Sequence, residues 1–500
     1  MSCIAVLDVG KTNKKALVFD EGLEIVGEAY HSFPADTSGP VAVEQADATA
    51  EWFLDRLAEL GREHDIGAVS VATHGATFAC VGRDGRRALP VVDYTTEPGE
   101  ELSRRFYERC GEPRELHRKY ATPNLGALVN LAKGILFVQE RFPDEFASVR
   151  ALLNFPQYFA YLLTGQEGAE CTYAACHTYL FDFATGSWSP VAEALGIREK
   201  LPPTIHRPGE VLGTLAPQVA QHTGLSPETQ VTYGIHDSNA SLLPYLIRQD
   251  EPFVLNSTGT WCVAMCPAQS AQLSEADLHA GIFCNCDAFA NPVRTAIFMG
   301  GREWDTWGAA IQQTCGTDAV PPYQPRLYQE VLDAADTFIF PGVVPGTGAF
   351  PDSTSRLWEK GTCYPLEAIE RGEARPACFE DAARAYAVLN CGLAVQTREQ
   401  LRGVGLRDGM PIYLEGGFRK NPDYQALLAS FFPASPIVLT DMKEATAFGA
   451  ALLGRAAATG RGLKELGEEF QIAGERARVE PLRHAERYRR AYAELVEKDL

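Results

Sequence analysis

The sequence predicts an α/β chain built from two related domains that face each other. Two observations carry this reading, and length supports them. Apolar runs at residues 4–9 and 15–19 flank Gly10-Lys11-Thr12-Asn13, the pattern of a β-hairpin with a polar turn. The same arrangement opens the second half: residues 252–255, then Asn256-Ser257-Thr258-Gly259-Thr260, then an apolar return over 261–265. At 500 residues the chain exceeds the size at which a single core keeps growing.

The elements follow in order. Residues 25–30 read as a third strand, 45–60 as a helix, and 68–73 as a strand leading into His74-Gly75. Residues 230–233 form another strand, ended by Gly234 and followed by His236-Asp237-Ser238-Asn239. A strand end, a glycine and an isolated carboxylate are what a general base needs, because the base must be held rigidly with room beside it. A solvated loop aspartate or a helix cap gives the same pattern. In the second half, 412–414 is a short strand, Glu415-Gly416-Gly417 a turn, 421–432 an amphipathic helix and 436–439 a strand. The paired glycines allow close approach of a flat ligand or of another backbone. Residues 444–451 open a helix of small residues, as a close-packing helix pair requires. The Pro- and Gly-rich stretch 321–351 reads as loop with embedded strands, and 462–500 as a charged, solvated terminal helix. Only residues 248–252 mark a joint, so the expected division is 1–246, 250–455 and a tail at 456–500.

Asp8 ends the first strand beside the polar turn. A carboxylate next to backbone N–H groups and hydroxyls can organise a magnesium phosphate. Gly10-Lys11-Thr12 invites a P-loop reading, which fails: Ala5 stands where the first glycine is needed, and a strand pattern follows Thr12. An ordinary hairpin with a polar turn has the same sequence.

Composition narrows the classes. A net charge of −20 argues against nucleic acid and anionic membranes as partners. No apolar run approaches the ~20 residues of a membrane span, and no signal peptide is expected from the first residues. The 13 cysteines lack repeated C-x₂-C spacing, so reduced thiols and a cytoplasmic location are expected. Cys171 and Cys176 near His177 have the residue types of a metal site, although small buried cysteines look alike.

The motifs DVGKTN, GIHDSNA, STGT and GGFRKNPDYQALLA…EATAFGAALLG occur in an order that resembles the FGGY family of carbohydrate kinases. The resemblance runs from about residue 4 to about 453, with intermediate matches at 125–146 (a long helix ending in a Pro turn), 154–165, 181–188 and 207–213. Within the family the segment around His236-Asp237 looks most like L-rhamnulokinases and L-fuculokinases. The resemblance implies two ribonuclease-H-like domains of the actin and hexokinase type around a central cleft. It implies ATP and Mg²⁺ as cofactors, and Asp237 as the base for a ketose hydroxyl.

It also implies that Gly10, Lys11, Thr12 and Asn13 meet the γ-phosphate, and that Thr258, Gly259 and Thr260 face the β- and γ-phosphates. Gly416, Gly417 and Asn421 would flank the adenosine, and Asp8 with Asp237 would hold the metal ion. His74, Gly75, His236 and Tyr94 would contact the sugar. Lys11 departs from the Thr or Ser usual at its place, and it points either to the phosphates or to solvent. The family's sugar-hydroxyl element is missing near residues 90–97, where Asp93, Tyr94 or Glu97 would replace it.

Sugar and ATP are thus the expected partners, with a homodimer left open. A deoxyketohexose such as L-rhamnulose or L-fuculose leads, phosphorylated on a terminal hydroxyl. Xylulose, ribulose and polyols follow. An actin-like ATPase or a sugar-sensing regulator is the reading from another class, and fold likeness alone does not separate them.

Overall fold

The computed structural model describes residues 2–496 and 498. The first sheet contains β1 (Cys3–Val9), β2 (Asn13–Phe19), β3 (Ile25–Ser32), β4 (Ile66–Thr73), β5 (Val211–Thr214), β6 (Gln230–Thr232) and β7 (Ile235–His236). Its order is β5-β6-β4-β1-β2-β3, with β7 also paired to β4. β1 runs antiparallel to β2 and parallel to β4, so both hairpin partners and the crossover strand meet at β1. β1 and β4 are buried along almost their whole length, while β3, at the edge, alternates between half-buried and exposed positions.

The second sheet repeats that plan. It is built from β8 (Val254–Thr258), β9 (Cys262–Pro267), β10 (Phe283–Cys286), β11 (Pro292–Phe298), β12 (Ile412–Gly416), β13 (Ile437–Thr440) and β14 (Gly474–Arg476), in the order β10-β11-β9-β8-β12-β13-β14. β8 is antiparallel to β9 and parallel to β12, as β1 is to β2 and β4. This is the expected pair of ribonuclease-H-like sheets. The second polar turn is shorter than predicted: Asn256 to Thr258 continue β8, and only residues 259–261 separate it from β9.

Helix α1 (Ala46–Leu60) covers the first sheet's core. Helices α2 (Asp237–Arg248), α3 (Ala382–Gly403), α4 (Pro422–Phe431) and α5 (Ala445–Thr459) matter most for the site. α5 carries second-half sequence, yet it packs on α2 and on the first sheet. A Cβ on Gly449 would lie 1.9 Å from the Ala240 carbonyl oxygen, and one on Gly454 would lie 2.4 Å from Ile4 Cγ2. These contacts explain the small-residue pattern: only glycine permits this approach. Ala447, Ala450 and Leu453 thereby share one core with Ile4, Val6, Ala72 and Leu243.

Three sequence expectations need correction. Residues 325–334 are a helix (Pro325–Ala334) rather than loop, with Tyr328, Val331 and Leu332 as its buried face. The helix expected over 125–146 covers only Leu131–Arg141, followed by the short Pro143–Phe146 turn. The terminal stretch is not a solvated helix. It adds β14 to the second sheet and ends in α6 (Ala485–Val496), whose Tyr488, Tyr492 and Val496 enter the second core. Residues 497, 499 and 500 of that stretch lie outside the described residues. Among the described residues, no helix is long and apolar enough to cross a membrane.

Candidate active site

The strand-end aspartate owes its place to Gly234. That residue has φ +85, and a Cβ there would lie 2.8 Å from the Val71 carbonyl oxygen. The tight turn lets β7 follow β6 along β4, and α2 starts at once with Asp237 as its first residue. Ser238 donates to Asp237 Oδ1 from its backbone N–H (2.6 Å) and its hydroxyl (3.2 Å), and His236 Nε2 lies 3.2 Å from the same oxygen. Burial raises the Asp237 carboxyl above the ordinary aspartate value, against the lowering influence of His74 and the Ser238 bonds. Its side chain keeps 32 % exposure, toward a cavity of about 310 Å³.

That cavity lies between the two sheets. From the first half come His74, Gly75, Tyr94, His177, His236 and Asp237; from the second come Trp261, Val263, Met265, Phe283 and Ile297. The first wall is polar and imidazole-rich; the second joins this apolar patch to the polar side chains of Ser257, Asn285, Thr295 and Thr446. Burial holds His236 down at about 3 and His177 at about 4, with His236 adding to the effect on His177. Both rings are neutral at physiological pH, so each has one N–H donor and one lone-pair acceptor. His74 Nε2 is buried and has no hydrogen-bond partner, 3.7 Å from Glu44 Oε1.

Lys11 takes neither of its two expected orientations. Its ammonium sits 2.6 Å from Glu44 Oε1, 2.6 Å from Asp93 Oδ2 and 4.7 Å from the centre of the Tyr94 ring. Both carboxylates are buried, so the lysine neutralises charge at the edge of the polar wall. Among the three candidates for the missing hydroxyl-binding element, Asp93 is thus held by Lys11 and Thr95, whereas Tyr94 lines the cavity.

At the hairpin, Asp8 is buried and Lys15 Nζ lies 3.3 Å from it, while Lys15 also pairs with Glu444 at 2.6 Å. Burial pushes the Asp8 carboxyl up to about 6; Lys15 lowers it and the Asp237 charge raises it further. A buried carboxylate so incompletely compensated, near a second one, suits a hard divalent cation with oxygen ligands. Thr12 and Asn13 are exposed at the hairpin tip, and the Gly10 carbonyl accepts from Lys14 Nζ at 2.8 Å.

On the other side, Gly259, Thr260, Gly417 and Asn421 line a separate cavity of about 500 Å³ walled by Trp304, Tyr323, Pro321 and Phe418. A flat aromatic ring fits such a slot. A third opening of about 420 Å³, lined by Lys15, Ser241, Ser257, Gly416, Gly417 and Thr446, runs along the hairpin side. Two predicted residues do other work here. The Thr258 hydroxyl donates to the Glu415 carbonyl oxygen and accepts from the Phe418 N–H at 3.0 Å. It staples the glycine turn and presents no free donor to the phosphates. Gly416 has φ +80, and a Cβ there would lie 1.8 Å from the Thr258 carbonyl oxygen, so this turn needs glycine. Asn421 caps α4, accepting from Asp423 and Tyr424 N–H and donating to Asn390 at 2.9 Å.

Sequence reasoning missed Glu44, Lys14, Trp304, Tyr323 and the apolar patch. Trp304 and Tyr323 lie far apart in the chain, and no local pattern marks them. Lys14 gave one signal: a lysine inside an apolar strand, here fully buried, needs a counterion.

Comparison with known proteins completes the description. Residues 3–244 match the model of the N-terminal domain of the FGGY family of carbohydrate kinases, and residues 250–462 match that of the FGGY C-terminal domain. The L-fuculokinase of Salmonella typhi is 24 % identical over 469 residues, covering 90 % of this chain and 91 % of that protein. A rhamnulokinase of Bacteroides thetaiotaomicron is 24 % identical over 403 residues, 78 % of this chain and 76 % of that one. A solved structure of a carbohydrate kinase from Novosphingobium aromaticivorans superposes with a TM-score of 0.80 at 28 % identity, covering 100 % of this chain and 99 % of that chain.

Proposed function

We propose that this chain, which belongs to the FGGY family of carbohydrate kinases, phosphorylates a 6-deoxyketohexose of the L-fuculose or L-rhamnulose class on a terminal hydroxyl. The family makes it an ATP-dependent sugar kinase; the sugar and the residue roles are the proposal. One observation carries the choice of sugar: the 310 Å³ cavity holds Asp237 on its imidazole-rich wall and an apolar patch of Met265, Phe283 and Ile297 on its other wall. A 6-deoxyketose has a hydroxyl at one end for Asp237 and a methyl at the other that suits the apolar patch. The relatives named L-fuculokinase and rhamnulokinase support the same class.

In this reading Asp237 accepts the proton of the terminal hydroxyl as that oxygen attacks the γ-phosphorus and the bond to the β-phosphate bridging oxygen breaks. ADP leaves with the electron pair. Phosphoryl transfer asks mainly for positioning and charge neutralisation. Ser238 holds the carboxylate through its N–H and hydroxyl. Asp8 and Asp237 would hold Mg²⁺, which supplies charge neutralisation at the phosphates. Thr12 and Asn13 reach the γ-phosphate from the exposed hairpin tip. Gly259, Thr260 and Gly417 border the phosphate and nucleoside path, with Trp304 and Tyr323 against the base. Thr258 and Asn421 act by shaping that path.

A coupled ADP-release screen over ketoses, deoxyketoses and polyols tests this. L-fuculose or L-rhamnulose should exceed its 6-hydroxy counterpart, L-tagatose or L-fructose, by about tenfold or more in kcat/KM. The basis is that a hydroxyl left unpaired against the Met265, Phe283 and Ile297 patch costs about 1–3 kcal/mol. Equal or better turnover of the 6-hydroxy sugars would overturn the assignment.

A further inference from the structure

We propose that Cys176, His177 and His236 form a binding site for a thiophilic divalent metal ion of the zinc class, in the floor of the cavity. The metal site itself stands on geometry alone. Only its consequence, that metal and sugar exclude each other, rests on reading this cavity as the sugar site.

Four observations converge. One ligand atom from each of the three residues lies within 4.8 Å of the other two. Cys176 Sγ and His236 Nε2 are 3.2 Å apart, close to the separation of neighbouring ligands around a small tetrahedral ion. His177 Nδ1 lies 2.9 Å from the Val129 carbonyl oxygen. A carbonyl only accepts, so Nδ1 carries the proton and Nε2 is left with its lone pair. That is the orientation a ring takes when its other nitrogen binds metal.

The fourth observation is Gly75. A Cβ there would lie 3.0 Å from His236 Nε2 and 3.3 Å from His177 Nε2. Both nitrogens thus border one small space, and only a residue without a side chain leaves it open. Asn239 fits the same picture. Its Oδ1 is buried without a partner, while its Nδ2 is assigned 3.1 Å from His236 Nδ1. Turning the amide over lets Oδ1 accept from His236 Nδ1–H, which frees the His236 Nε2 lone pair.

One sulfur and two imidazole nitrogens, with an open fourth position, suit Zn²⁺ and exclude Mg²⁺. Metal binding displaces the Cys176 thiol proton to solvent. Asp237 Oδ1, 3.2 Å from His236 Nε2, is within reach of the fourth position. A bound ion would then engage the Asp237 carboxylate that takes the sugar proton, so zinc should compete with sugar.

The test uses the full chain without sugar or nucleotide. Titration with Co²⁺ should give one equivalent of cobalt–thiolate absorption, displaced by Zn²⁺, with calorimetry giving the same stoichiometry. Cys176→Ser should abolish the absorption. His177→Gln, and Gly75→Ala with all three ligands kept, should each weaken Zn²⁺ binding by at least about tenfold. Thermal unfolding of each variant separates loss of the site from loss of the fold. Absence of the absorption in the wild type, its survival in Cys176→Ser (which would move it to another thiol such as the exposed Cys363), or wild-type zinc affinity in both folded His177→Gln and Gly75→Ala overturns the metal site. One-to-one binding without competition against sugar leaves the metal site standing and overturns the sugar reading of the cavity instead.

Discussion

Replacing Lys11 by Met removes an ammonium that neutralises two buried carboxylates while keeping the aliphatic stem beside Tyr94. Glu44 is 6 % exposed and Asp93 3 %, and each has an oxygen 2.6 Å from Lys11 Nζ. Breaking one side of a buried ion pair typically costs about 3–5 kcal/mol. Three features reduce this. The Lys11 side chain is 32 % exposed, so water screens the pair, and Lys14 Nζ remains 3.9 Å from Glu44. Asp93 also keeps the Thr95 N–H and hydroxyl donors at 2.8 Å. The expected loss is therefore about 2 kcal/mol near neutral pH. It should shrink in acid. Burial would raise the Asp93 carboxyl, but Lys11 and Thr95 hold it below the ordinary aspartate value of 3.8. A depressed carboxylate contributes stability that is present above its unfolded pKa and is lost as pH falls through its folded one. Guanidinium unfolding followed by tryptophan fluorescence, at about pH 7.5 and again near pH 3, reads the difference. In steady state the variant should raise the sugar KM and leave the ATP KM within about twofold, because the lysine borders the polar wall. A raised ATP KM with sugar KM and stability unchanged would return Lys11 to the phosphate site and refute the reasoning.

Other perturbations have equally definite outcomes. Asp237→Asn should keep nucleotide binding and lose about 10²–10⁴-fold in kcat; more than about a tenth of wild-type turnover would remove Asp237 as the base. Thr12→Ala or Asn13→Ala should lower kcat more than it raises the sugar KM, and Asp8→Ala should be more damaging than Lys11→Ala. Trp304→Ala should raise the ATP KM and spare the sugar KM, checked by varying each substrate in turn. Glu415 is buried and accepts from the Tyr245 hydroxyl, and burial pushes its carboxyl from 4.5 up to about 7. Between those values the unfolded chain ionises and the folded one resists, so the wild type should lose stability with rising pH, on the order of 3 kcal/mol. Glu415→Gln should flatten that slope, and an unchanged slope in unfolding experiments would count against the shift.

The hairpins, the crossover strands and the Asp237 strand end were all legible in the sequence, because each is a local pattern of apolar runs broken by glycine. Gly234 and Gly416 were legible for the same reason: each stands where the backbone turns with positive φ. What escaped depends on distant packing. Thr258 looks like a turn hydroxyl, but β12 runs beside β8 and uses it to hold the glycine turn. Asn421 precedes a proline and an aspartate, an N-cap pattern that could have been read locally. The spacing of Ala485, Tyr488, Tyr492 and Val496 also marks a buried helical face, hidden by the charged residues between them. Nothing local connects Lys11 to Glu44 and Asp93, which come together because the short strands Val43–Glu44 and Val91–Val92 pair beside the hairpin turn.

The two walls of the cavity belong to different halves of the molecule, and the halves meet at α2 and α5, where Gly449 lies against the Ala240 backbone, and again where the Cys284 N–H donates to the Ala121 carbonyl oxygen. A shift of one half against the other at these contacts changes the gap between the walls. A ligand shifts the balance between two such arrangements only by the difference in its affinity for them. A sugar that touches the imidazole wall alone has almost no such difference, however firmly it is held. The polar wall would then govern occupancy, and the apolar patch would govern the fraction of occupied molecules in the arrangement that reacts. Wrong sugars should in that case betray themselves as slow passengers rather than weak ones: bound near normal concentrations, and seldom carried over the barrier.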